Sequence, residues 1–156
     1  MSAAAGLVAQ LESSHKFFKG TLSVFDEDES GFAPQPEMFS VAAHVRHVAE
    51  TVDWFMEGGF GDGWQLDFEA HVAHSHEATS LAAEIERLDA AYGAATAKVS
   101  GLGDGELYAP ITDEAIMGGA PRAAVINGIT DHSAHHRGAL AVYARLLGKE
   151  PAMPYA

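Results

Sequence analysis

The chain has 156 residues, 47% of them hydrophobic, which suffices for one packed core and predicts a single domain over residues 1–156. Twenty-two acidic against nine basic residues give a formal charge of −13, which repels phosphate backbones and anionic lipid surfaces and argues against nucleic acid as a ligand. Cysteine is absent, so disulfides, thiolate metal ligands and a nucleophilic thiol are excluded, and any metal has to be held by His, Asp, Glu or water.

No window approaches the ~18 to 20 consecutive apolar residues of a membrane span, and the N-terminus runs into polar, helix-like sequence without a basic leader. The expectation is a cytoplasmic protein with no membrane partner. Apolar residues at three-and-four spacing, from Leu7 through Leu11, Phe18 and Leu22 to Phe25, predict a first helix over residues 3–25. The acidic run Asp26 to Glu29 follows; it lacks the EF-hand ligand pattern and reads as a solvated turn. Ser40 is an N-cap for a second helix through Glu57, with Val41, Val45, Val48, Val52 and Phe55 inward and Gly58-Gly59 as its stop.

Residues 58–76, with several glycines, Trp64, Phe68 and three histidines, show no clear period and read as a structured loop. A third helix runs from Ser80 to Val99 on Leu81, Ile85, Leu88 and Tyr92. After Gly-rich residues 100–120, Pro121 suits the first turn of a fourth helix, which Gly148 caps. Four long helices without a strand pattern predict an all-α four-helix bundle. The two long connections exceed ordinary helix-to-helix turns and suit a pocket roof.

The fourth helix carries the chemistry. Val125, Ile129, His132, His136, Leu140, Tyr143 and Leu147 follow one buried face, so His132 and His136 point where the core points, one helical turn apart. Buried imidazoles need hydrogen-bond partners or a metal, and two at this spacing can grip one ion. A catalytic divalent ion commonly takes three protein ligands and leaves a position open, so a third is needed. The second helix offers His44 and His47; both flank its apolar stripe, and periodicity leans slightly toward His44.

The segment Ser40 to Phe55, with His47-Val48-Ala49-Glu50, followed some eighty residues on by Asp131-His132-Ser133-Ala134-His135-His136-Arg137-Gly138 and then Tyr143-Ala144-Arg145-Leu146-Leu147-Gly148-Lys149, resembles the DinB family. The resemblance spans most of the chain, and the His-x-x-x-His-Arg-Gly segment is its most specific part. It implies a bundle of up-up-down-down connectivity, often a homodimer, with a three-histidine site for zinc or nickel. On matching positions the ligands are His47, His132 and His136. Ala139 stands where the family usually has Gln. The resemblance further implies a thiol-dependent transferase or isomerase, or a hydrolase, acting on a small molecule with a low-molecular-weight thiol as partner; no catalytic residue is assigned.

Two other classes of function stand beside this one: a non-catalytic metal- or ligand-binding stress-response protein, and a structural bundle whose inward histidines merely hydrogen-bond. Among the remaining residues, His135 reads as a surface partner of Asp131. Glu50 reads either as a carboxylate partner of His47 or as a solvated residue on the helix surface. His71, His74 and His76 are expected to be mostly exposed, Trp54, Trp64 and Phe68 to pack or line a pocket, and Tyr143 to pack in the core or reach toward the metal.

Overall fold

The computed structural model describes residues 2–155. In chain order the helices are α1 (Ala3–Leu22), α2 (Val41–Phe60), α3 (Phe68–His76), α4 (Leu81–Ser100), α5 (Asp104–Leu107) and α6 (Ala124–Leu146), with a 3-10 turn at Glu27–Glu29. No strand occurs among the described residues, which hold only an isolated bridge between Pro110 and Pro121. No helix among them is long and apolar enough to cross a membrane.

Local chemistry sets the helix ends. The hydroxyls of Ser2, Ser40 and Ser80 and the carboxylate of Asp67 each accept a backbone N–H of the first turn that follows. At the far end of α6, Gly148 sits at φ +76° while Lys149 N–H reaches Ala144 O and Gly148 N–H reaches Arg145 O, a Schellman closure that a residue with a side chain would strain. Pro121 lies outside the helix it was expected to open: Ala109 and Leu107 carbonyls take the N–H groups of Arg122 and Ala123, and α6 begins at Ala124.

Gly58 and Gly59 do not stop α2. A Cβ on Gly58 would lie 2.2 Å from the Trp64 ring, and one on Gly59 would lie 2.6 Å from Val125, so these glycines serve close packing within the last turn. The inward valines of α2 (41, 45, 48 and 52) are at most 1% exposed. Each such side chain contributes about 1.5–3 kcal/mol on burial.

Residue pairs fix the helix directions. On α1, Lys19 and His15 bind Asp89, while the first turn of α1 lies beside Ser100, so α1 and α4 are antiparallel. Arg46 meets Glu84, and Glu57 shares a cleft with Lys98, so α2 and α4 run parallel. Gly59 abuts Val125, Phe55 abuts Gly128 and His44 meets His136, so α2 and α6 are antiparallel. The chain therefore runs up, down, down, up, and the expected up-up-down-down order is corrected. The cause is α3, which folds back along α2, with Phe68 near Trp54, Ser75 near His47 and His76 near Phe39, and returns the chain to the end from which α4 can run parallel to α2.

The acidic turn is not simply solvated. Glu27 accepts the N–H of Ala82 at the start of α4, and Lys149 binds both Asp26 and Glu29, which ties α6's end to the loop after α1.

Candidate metal centre

His47 on α2 and His132 and His136 on α6 bring one ring nitrogen each to within 4.8 Å of one another. His132 Nε2 lies 3.2 Å from His47 Nε2 and 3.1 Å from His136 Nε2. His136 is buried and the other two are half-buried. Antiparallel packing of α2 against α6 produces the convergence, because one turn of α6 spans the two histidines and faces the α2 turn that carries His47.

Hydrogen bonds among the rings do not satisfy this arrangement. A neutral imidazole nitrogen carries either one hydrogen or one lone pair, so His132 Nε2 serves one of its two neighbours and leaves the other without a partner. A cation between them serves all three. Two nitrogens bound at ~2.0–2.1 Å to one tetrahedral zinc are about 3.3 Å apart, close to the observed spacing. The protonation state also suits: burial first, then the neighbouring histidines, push the pKa of His47 down to about 3, of His132 to about 4 and of His136 to about 2. All three are neutral at pH 7 and have lone pairs to give, so the donor set fits a divalent ion.

His44, which periodicity had slightly favoured, does not join the three. It lies one turn earlier on α2, and its Nδ1 meets Nδ1 of His136 at 2.8 Å. Ser75 on α3 stands 3.3 Å from His47 Nδ1 and donates its own hydrogen to His71 O, so it can accept the His47 N–H. Glu50, one turn after His47, pairs with His74 at 2.7 Å. Tyr143 donates its hydroxyl to Phe39 O at 3.0 Å and does not face the site. His135 is exposed, and among the described residues it forms no ion pair with Asp131.

A cavity of about 250 Å³ opens beside His47 and His132, walled by Trp54, Phe55 and Phe68 and edged by Thr51, Gln65, Asp67 and His71. The Trp54 indole is fixed by donation to Gln65 O at 2.7 Å. Trp64 packs on Trp54 from behind and is itself held by Asp113, which accepts the Trp64 backbone N–H through its carboxylate and the indole N–H through its carbonyl. Of the two long connections, the first thus supplies cavity wall and the second braces it. Trp54, Gln65 and His71 also border a larger cleft of about 810 Å³ that carries Glu50, Asp53 and Glu57.

A family model described as the DinB superfamily matches the chain over residues 10–140, a span that includes His47, His132 and His136. The chain belongs to the DinB superfamily. No curated protein matches it. In this DinB chain the α3 residues Ser75 and His71 also belong to the site, with Ser75 buried beside His47 and His71 half-buried on the cavity; no apolar period surrounds them, and a histidine every two or three residues beside an aromatic-rich turn is the sequence signal for them.

Proposed function

We propose that this DinB protein is one four-helix-bundle domain over residues 1–156 that holds a single divalent metal, zinc or nickel, on His47, His132 and His136 for work on a small molecule. The observation that carries the reading is the convergence of three Nε2 atoms of neutral imidazoles, one buried and two half-buried, from two helices. A metal held by three protein ligands supplies Lewis-acid polarisation or lowers the pKa of a water or thiol at the position left open. The chain's own residues provide the seat. Trp54, Phe55 and Phe68 exclude water and orient the apolar part of a ligand, while Thr51, Gln65, Asp67 and His71 offer polar contacts at its rim. Lacking cysteine, the chain has to take any thiol from solution, as a thiol-dependent transferase or isomerase would; hydrolysis is served by the same seat. A cytoplasmic location and a homodimeric state complete the reading.

The test is elemental analysis of protein purified without a histidine tag, incubated with zinc or nickel and desalted. About one equivalent of metal is expected, and less than about a tenth of an equivalent overturns the reading. His132→Ala removes a ligand and is expected to lose the bound metal. Small thiols screened with electrophiles on both proteins then separate enzyme from binder, since equal rates for wild type and His132→Ala rule out catalysis by the metal.

A further inference from the structure

The ring of His44 is turned into the core rather than toward the cavity, and it is 6% exposed. Its Nδ1 meets Nδ1 of His136 at 2.8 Å, while its Nε2 is buried with no hydrogen-bond partner. Phe39 and Tyr143 stand T-shaped against the ring at centroid distances of 5.5 and 5.1 Å, so aromatic surfaces flank it. A buried nitrogen without a partner destabilises the fold, and an apolar side chain at position 44 would avoid that cost. Fold stability therefore does not account for a histidine here.

Proton placement does. A neutral imidazole has one N–H. If His136 presents a lone pair at Nε2, its hydrogen sits on Nδ1, and the atom 2.8 Å away has to accept it. That atom is Nδ1 of His44, which places the His44 hydrogen on Nε2, the nitrogen without a partner.

We propose that His44 is a positioning residue of the metal centre, which accepts the Nδ1–H of His136 and so fixes the tautomer and ring plane that aim His136 Nε2 at His47 and His132. The role rests on the three-histidine reading above. Ligating histidines ordinarily donate their second nitrogen to a carboxylate, a carbonyl or water. Here a neutral ring takes that place, so it orients His136 without adding negative charge to the centre. The unpaired Nε2–H is the structural cost of that arrangement.

Two variants and one spectrum test it. His44→Leu removes the acceptor and the orphaned N–H together; His44→Asn keeps an acceptor oxygen near the place of Nδ1. For His44→Leu the metal-free melting temperature is expected to equal or exceed that of wild type, while the zinc dissociation constant, read by chelator competition, rises about 10- to 100-fold. His44→Asn is expected to recover most of that loss, which a packing role alone would not produce. Zinc affinity unchanged in His44→Leu, or no better in His44→Asn than in His44→Leu, overturns the role. Nitrogen-15 NMR of zinc-loaded wild type needs no variant to fold: hydrogens on His136 Nδ1 and His44 Nε2 support the assignment, and the reverse tautomers overturn it. Wild type that takes up no zinc overturns the three-histidine reading and this role with it, whereas a Leu variant that binds as tightly as wild type overturns the role alone.

Discussion

His44, His47, His132 and His136 are held neutral by burial, with pKa values pushed down to about 4, 3, 4 and 2, whereas each titrates near ~6.5 once unfolded. The sign of the consequence follows from which state binds more protons. Below pH ~6.5 the unfolded chain takes up protons that the folded rings refuse, so metal-free protein has its full stability above that pH and loses it progressively as pH falls toward the folded values. Carboxylates titrate mostly below this first part of the window. The melting temperature of chelator-treated protein is therefore expected to fall between pH 7.5 and 5.5. An unchanged value would mean that the rings accept protons in the folded state, and would contradict the neutral donor set.

In α2 the glycine pair carries a similar test of packing. Alanine in place of glycine inside a helix ordinarily gains roughly 1 kcal/mol. At Gly58 the added Cβ falls 2.2 Å from Trp64, whose ring backs the cavity wall at Trp54, so the sign reverses. Gly58→Ala is expected to lose about 1–3 kcal/mol in urea unfolding, the cost of overpacking, and a stabilised variant would refute the contact. The same glycines show where sequence reading falls short. They pass for a helix stop, since what they make room for, Trp64 and Val125, is distant in sequence or hidden in a loop. The four long helices were legible because a serine cap or an apolar period of 3.6 announces each one. Helix α3 was not, because the residues it turns toward the site, His71 and Ser75, are polar and leave no apolar stripe. Helix directions were illegible for the same reason: the return of the chain along α2 is made by α3. At the site, His132 and His136 could be read from one helix alone. Periodicity could not choose between His44 and His47, since both lie on the buried side of α2; the family resemblance points to His47, and in the structure the register of α6 opposite separates the two.

A net charge of −13 sets up self-repulsion that any divalent cation relieves, so a higher melting temperature with added metal does not by itself reveal a site. Screening and site occupancy nevertheless separate. Screening is common to magnesium, zinc and simple salt and depends on ionic strength, with a Debye length of about 8 Å at physiological salt. Occupancy belongs to metals that favour imidazole over carboxylate and water. It also depends on the fold, because His47 and His132 stand 85 residues apart in sequence and meet only when α2 and α6 pack. An ion that binds the folded chain alone, at a free concentration about 100 times its Kd, stabilises it by about 2.7 kcal/mol. For a chain of this length that is a rise of roughly 5–10 °C in melting temperature. At constant ionic strength, zinc or nickel is expected to produce this rise and magnesium to produce almost none. His132→Ala should abolish the zinc effect while the response to salt persists. Equal shifts for zinc and magnesium, or for wild type and His132→Ala, would assign the stabilisation to the acidic surface and remove the metal centre from the account.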